Sequence, residues 1–501
     1  MNVPYGRLLL YGSIDTTDRT VGSLLVEKRV KMNQLDERLI KIVPSDRQVM
    51  LQKTEFYAFF HFTVNTFTGT EWGYGTESAE VFNPDQMNAD QWAEAVKAAG
   101  MKGAILTCKH HDGFCLWPSK YTDHSVKYSP YLNGKGDIVK EVAEACKKAG
   151  LKFGIYLSPW DRNQETYGQG NAYDDYFVAQ LTELLTGYGD IFSVWFDGAC
   201  GEGLNGKKQV YDWQRYYDTV RNYMPDACIS VSGPDVRWCG NEAGDTRPSE
   251  WSVVPADLSV AERVAALSQH ADDPSFRQRV ISSMEEDLGS RERLRQEQHL
   301  IWYPAEVDVS IRPGWFYHPE EDDKVRSLDN LMDIYEKSVG GNTTLLLNIP
   351  PMPRGLLHEE DVKRLQELGR EIQKRYGNNL AEGTEILVKE ENEWNPVKDV
   401  QTDDYETYYQ GKGPKAEFKI SWNAPQKISA VILKENILKS QRIEAFEILS
   451  MKNGNLVSLY KGTTVGYKKI ARFPQIESDI LIVQILDSRI GPTLSFVGIY
   501  G

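Results

Sequence analysis

At 501 residues the chain is too long for one ordinary core, so two or more domains are expected. Its 57 Lys and Arg against 72 Asp and Glu leave a net charge of −15, which argues against a nucleic-acid binder, because that affinity comes mainly from cationic contacts to phosphate. The lack of a long apolar run excludes a membrane-spanning helix, and 41% hydrophobic with 11% aromatic residues excludes a disordered chain.

From the N-terminus, Arg7-Leu8-Leu9-Leu10 is too short for the apolar segment of a signal peptide. Phe56–Val64 is the first strand candidate. Asn88 to Ala99 places Trp92, Ala95, Val96 and Ala99 on one helical face, with Asn88 as N-cap and Gly100 where a left-handed stop belongs. Gly103–Cys108 then reads as a buried strand. The same unit of helix, glycine stop and apolar strand recurs at Ile138 to Cys146, Gly150 and Phe153–Ser158. It recurs again at Tyr173 to Gly189 before Ile191–Phe196, and at Leu328 to Gly341 before Thr343–Ile349. Ala227–Ser232, Leu300–Val307 and Gly314–Tyr317 complete eight strand candidates.

This rhythm predicts an α/β fold, a (β/α)8-like barrel over residues 1–378, rather than a dinucleotide-binding sheet. GxGxxG and GxxxxGK[ST] are both missing. Asp257–Glu297 interrupts the rhythm as a charged, helical insertion. After Tyr376 the helical patterns, histidines and cysteines stop. Ala416–Trp422, Ile428–Leu433, Ile443–Leu449 and Ile480–Ile485 are short, alternating or β-branched, which predicts an all-β sandwich over 379–501. The boundary is expected near Asn378–Gly383.

Ten of the 12 tryptophans precede residue 376. Most should be core, although aromatic faces also stack on sugar rings. The six cysteines lie between Cys108 and Cys239 without CxxC or CxxxH spacing, so they read as free and mostly buried rather than as a zinc or iron–sulfur cage.

A β/α barrel carries its chemistry at the C-terminal strand ends. There the chain places His61, then Glu71 and Trp72; Lys109, His110, His111 and Asp112; and Tyr156, Trp160, Asp161 and Arg162. Trp195 and Asp197 follow, then Asp235, Arg237, Trp238, Glu242, Arg247 and Trp251, and last Glu306, Asp308, Arg312 and Trp315. Acids, histidines and tryptophans at one mouth suit a polyhydroxylated substrate. Each has a plainer reading: Asp197 as a helix N-cap or turn former, Glu242 as a loop carboxylate, and His110 and His111 as core histidines or as two metal ligands. Against a metal hydrolase built on His110, His111 and Asp112 stands the lack of any further histidine in the right strand-end context. Occurrence at successive strand ends favours the catalytic reading.

Phe59-Phe60-His61-Phe62, Glu71-Trp72-Gly73, Lys109-His110-His111-Asp112-Gly113-Phe114-Cys115-Leu116-Trp117-Pro118 and Tyr156-Leu157-Ser158-Pro159 resemble family 29 α-L-fucosidases. So do Val194-Trp195-Phe196-Asp197-Gly198 and Leu346-Leu347-Asn348-Ile349-Pro350-Pro351. The resemblance implies Asp197 as nucleophile, and His61, Glu71, Trp72, His110, His111, Tyr156 and Trp195 as residues holding fucose. Trp315 resembles an aromatic lining the fucose methyl. Gly233 to Glu242 resembles the subgroup acting on α-1,3/1,4-fucose of branched Lewis-type glycans, in which the Gly-Asn-Glu glutamate, here Glu242, is the acid/base. The C-terminal part resembles a discoidin-like sandwich, usually structural or weakly sugar-binding.

The resemblance therefore implies a retaining, exo-acting hydrolase with two carboxyl groups and no cofactor or metal, whose partner is a fucosylated oligosaccharide or glycoconjugate. Broad-specificity action on α-1,2 or aryl fucosides is the alternative, with a non-catalytic fucose-binding protein beyond it. The expected location is periplasmic or extracellular, with a signal lying outside this sequence; a cytoplasmic location is the alternative.

Overall fold

A computed structural model describes residues 32–268, 287–390, 392–452 and 454–501. The strands of the first layer are β1 (Phe56–Phe60), β2 (Gly103–Lys109), β3 (Lys152–Leu157), β4 (Ile191–Phe196), β5 (Cys228–Val231) and β6 (Arg237–Trp238). They are followed by β7 (Val253–Pro255), β8 (Leu300–Trp302), β9 (Ala305–Ser310) and β10 (Thr343–Asn348). Eight of them form one sheet in the order β5-β4-β3-β2-β1-β10-β9-β6. The pairings within it are parallel, and a parallel bridge between Ser230 and Val236 links β5 to β6 and nearly closes the ring.

The local signals explain the units. Asn88 caps the helix Ala89–Ala98 by accepting from Gln91 N, and Gly100 follows at φ 81°. Asp137 caps Ile138–Ala149 in the same way, and Gly150 ends it in the left-handed conformation. Trp92, Val96, Ile138 and Val142 are buried on the sheet-facing sides of these helices.

Two strand expectations are corrected. Gly314–Tyr317 is a loop: Ser310 Oγ donates to Gly314 O and Glu321 accepts from Gly314 N, which bends the chain. Its aromatic run imitates a strand because the loop itself is packed. The eighth barrel strand is instead the two-residue β6, too short and too charged to show a strand pattern. Leu300–Val307 is split at Pro304, which has no N–H to donate. Its first half, β8, pairs antiparallel with β7, and its second half enters the barrel as β9. Of the insertion Asp257–Glu297, the described part contains helices Ala261–Leu267 and Arg291–Leu294; residues 269–286 lie outside the described residues.

After the helix Glu359–Tyr376 come β11 (Ile386–Glu390), β12 (Glu393–Pro396), β13 (Tyr409–Gln410), β14 (Ala416–Glu435), β15 (Ile443–Lys452), β16 (Asn455–Gly462), β17 (Lys469–Ser488) and β18 (Thr493–Tyr500). Their pairings are antiparallel and they enclose a core of their own, centred on Phe418, Phe446 and Val483. The segments expected as separate strands at 416–422 and 428–433 are one strand, β14, with a register shift between Ser421 and Gln426. Such an irregularity lets one strand bend and serve two layers. Among the described residues, no helix is long and apolar enough to cross a membrane.

Glu55 ties the sandwich to the base of the barrel. Its carboxylate accepts from Tyr467 Oη at 2.9 Å and Lys468 Nζ at 3.2 Å, with Lys434 and Lys102 at 3.6 Å. Burial works against the charge, but the three lysines outweigh it and hold the carboxyl well below its usual range. Glu55→Gln leaves buried lysines under-compensated and should cost roughly 3–5 kcal/mol in chemical denaturation. Because the folded pKa is depressed, this contribution is intact above the ordinary carboxyl range and drains away as pH falls below it. A variant as stable as the parent at neutral pH would show that the cluster adds nothing.

Candidate active site

A cavity opens at the C-terminal ends of the barrel strands. Its walls include Phe59, His61, Glu71, Trp72, His110, His111, Trp195, Asp197, Trp238, Glu242, Asp308 and Trp315. The expected site residues thus converge on one space, with Tyr156 just beneath it through its hydrogen bond to Asp197. The convergence follows from the parallel ring, which turns every strand end to the same side.

Asp197 follows β4. Its Oδ1 accepts from Ala199 N and its Oδ2 from Tyr156 Oη, both at 2.8 Å. These two bonds aim the carboxylate and favour its charge, while burial pushes its pKa above the ordinary aspartate value. Trp195, on the same strand, stacks on Tyr156 at 5.3 Å and donates its indole N–H to Glu306 Oε1 at 2.7 Å. Tyr57 Oη donates to the other Glu306 oxygen, and burial pushes Glu306 up to about 7. Glu306 therefore underpins Trp195 from inside the barrel.

The three histidines are held neutral by burial. His61 is pushed down to about 4 and His111 to about 3; His110 is pushed well below its ordinary value, first by burial and then by its histidine neighbours. Their tautomers follow from their partners. Asn348 Nδ2 donates to Trp315 O at 2.8 Å, so Asn348 Oδ1 faces His61, and His61 Nδ1 must be the donor across 2.8 Å. Ser158 Oγ donates to Trp160 O at 2.6 Å and so accepts from His111 Nδ1 at 2.7 Å. In both rings Nε2 is left as an acceptor, suited to a hydroxyl of a neutral ligand.

Glu242 stands on a loop that Asn241 scaffolds: its side chain accepts from Ala243 N and Asp245 N and donates to Asp245 O. Trp315 Nε1 donates to Glu242 Oε2 at 3.1 Å. Glu71 lines the cavity, and its oxygens also accept from Trp315 N at 2.9 Å, Phe316 N at 3.4 Å and His318 Nε2 at 2.7 Å, so it fixes the loop that presents Trp315. Trp72 packs edge-on against His111 and Trp160.

Several strand-end residues serve the scaffold instead. Lys109 is fully buried and pairs with Asp161 at 2.9 Å, and Asp112 accepts from Phe114 N and Thr63 Oγ1. Asp235 pairs with Arg47 and Arg221, Arg237 and Arg247 share Glu250, and Arg312 pairs with Asp361 and Asp322. Among the described residues, the group whose ligand atoms lie close enough for a cation is His110, His111 and Asp197, within 4.8 Å of one another; Asp112 is not part of it. A cation there would occupy the Asp197 carboxylate. Sequence reasoning gave no role to Asn348, which orients both His61 and Trp315, although it stands at a strand end inside a quoted motif.

The sequence profile of the α-L-fucosidase family matches residues 45–378. The chain belongs to that family. The enzyme is 38% identical to α-L-fucosidase 1 of Arabidopsis thaliana over 470 residues, covering 91% of this chain and 87% of that one. A crystal structure from Bacteroides ovatus, provisionally named an α-L-fucosidase, superposes with a TM-score of 0.82 at 44% identity, covering 94% of this chain and 76% of that one. A Ruminococcus gnavus family 29 fucosidase in complex with fucose superposes with a TM-score of 0.75 at 28% identity, covering 92% and 95%. The enzyme is an α-L-fucosidase, a glycoside hydrolase.

Proposed function

We propose that the enzyme is a retaining exo-fucosidase that removes terminal α-1,3/1,4-linked fucose from branched Lewis-type glycans. The observation that carries the mechanism is that Asp197 and Glu242 line one cavity in different surroundings. Asp197 is held by an amide and a phenol that favour its charge, while Glu242 stands on a separate loop beside a second acid, Asp308. In the first step Asp197 attacks C1 as the C1–O bond breaks, and Glu242 gives its proton to the departing oxygen. In the second, Glu242 takes a proton from water, the water oxygen attacks C1, and Asp197 leaves. The neutral histidines accept fucose hydroxyls, and the tryptophans cover its apolar face.

Support for the linkage comes from the run Gly233 to Glu242 and its Gly-Asn-Glu ending. A panel of Lewis trisaccharides, fucosyl-α-1,2-galactose and an aryl fucoside tests it. The expected result is the highest kcat/KM on the Lewis trisaccharides; preference for the α-1,2 substrate overturns the linkage reading and leaves the α-L-fucosidase activity standing.

A further inference from the structure

We propose that Gln441, on the sandwich, is a positioning residue for Glu242: it grips the return limb of the loop that presents this carboxyl to the cavity, so the C-terminal domain helps to place the acid/base. The proposal rests on the reading of Glu242 as the acid/base.

The loop has a short root in the barrel. It leaves the two-residue β6 and turns at Gly240 and Gly244, whose φ values of 109° and 83° suit glycine and no side chain. Its return limb, residues 247–252, then runs out to β7, which pairs with β8 outside the barrel sheet. The placement of Glu242 therefore depends on what holds that limb.

Glu250 clamps the limb to the start of the loop. It is 1% exposed and accepts from Arg237 Nη2 at 3.0 Å and from Arg247 Nη1 at 3.1 Å. Arg237 lies on β6, and Arg247 Nη1 also donates to Cys239 O at 2.9 Å, three residues before Glu242.

The sandwich in turn grips the backbone of Glu250. Gln441, fully buried between β14 and β15, donates Nε2 to Glu250 O at 3.1 Å, and its Oε1 accepts from Ser252 N at 2.8 Å. Its amide thus makes the pair of bonds that a neighbouring strand would make. Asn342, just before β10, donates to the same Glu250 O at 2.9 Å and accepts from Tyr467 N at 2.7 Å, so barrel and sandwich meet on one carbonyl. At the surface Thr463 Oγ1 donates to Pro248 O at 3.1 Å. Without the Gln441 amide, Ser252 N loses this acceptor and Glu250 O one donor. Buried backbone groups do not tolerate such losses, so the limb should shift and carry Glu250 and Arg247 with it. A general acid works only within hydrogen-bond reach of the departing oxygen, and a displacement of about 1 Å is costly.

Gln441→Leu removes both bonds and keeps most of the bulk. The readout is kcat/KM on a phenyl fucoside, whose leaving group needs a proton, divided by kcat/KM on a dinitrophenyl fucoside, whose leaving group does not. The fraction of enzyme that is folded cancels from this ratio. It should fall about tenfold, part of the roughly 10²–10⁴-fold that general acid catalysis supplies. A wild-type ratio, even with lower stability or equal losses on both substrates, makes Gln441 purely structural and overturns the proposal. If Q441L does not fold, Thr463→Val removes the surface brace alone and should lower the same ratio about twofold, a small share of that contribution; an unchanged ratio then overturns the proposal. Glu242→Ala tells the two failures apart. If it too leaves the ratio unchanged, the reading of Glu242 has failed; if it lowers the ratio and Q441L does not, only the brace has failed.

Discussion

Asp197→Gly should lower kcat on an aryl fucoside by on the order of 10⁴-fold or more, the scale of loss when a catalytic unit loses its nucleophile. The carboxylate is the group that Tyr156 and the Ala199 amide hold at the cavity. Azide supplied in solution should enter the space the side chain leaves and attack C1 from the same face. It displaces the aryl group and yields a fucosyl azide of inverted configuration, with much of the turnover restored. Wild-type activity without azide would sink the nucleophile role. The fold should tolerate the related Asp197→Asn. Burial raises the pKa of Asp197, so its ionised form costs stability, and that cost grows as pH rises through the folded-state pKa. An amide of the same shape removes the cost, with its oxygen still accepting from Ala199 N and its NH2 donating to Tyr156 Oη, so the melting temperature should not fall.

Glu242→Ala should separate substrates by their leaving groups. A natural glycan leaves as a poor alkoxide and needs the proton, so the expected loss is about 10²–10⁴-fold, the usual contribution of general acid catalysis. A dinitrophenyl fucoside leaves without help, and its first step should be nearly unaffected. The basic limb of the pH profile on the natural substrate should vanish with the group that produced it. Parallel losses on both substrates would place the acid elsewhere. The loss on the aryl fucoside that does appear should lie in the second step, where Glu242 acts as the base, and a pre-steady-state burst of the phenolate would reveal it.

The strands that end at His61, His110, Tyr156 and Asp197 were legible because each is a short apolar run between a helix stop and a polar residue. A parallel sheet buried on both faces leaves that mark. The strand carrying Trp238 was not, since two residues cannot display a period, and it exists only because β9 offers it a partner. Pro304 was visible, but whether it ends one strand or punctuates two depends on where β7 lies. The aromatic run at 314–317 read as a strand because apolar loops and apolar strands look alike until a partner is assigned.

The sequence by itself determined the fold class, the family and the identity of the polar residues at the barrel mouth, because periodicity, caps and motif spacing are local properties of the chain. Tertiary structure decided which of those residues face the cavity and in what protonation state. Lys109, Asp112 and Asp235 are strand-end residues like Asp197, yet they are spent on ion pairs and turns beneath the surface. The neutral histidines and the anchoring of Trp315 by Glu71 and Asn348 arise from segments brought together by ring closure. Desolvation and charge proximity are set by those neighbours in space, and no local pattern along the chain encodes them.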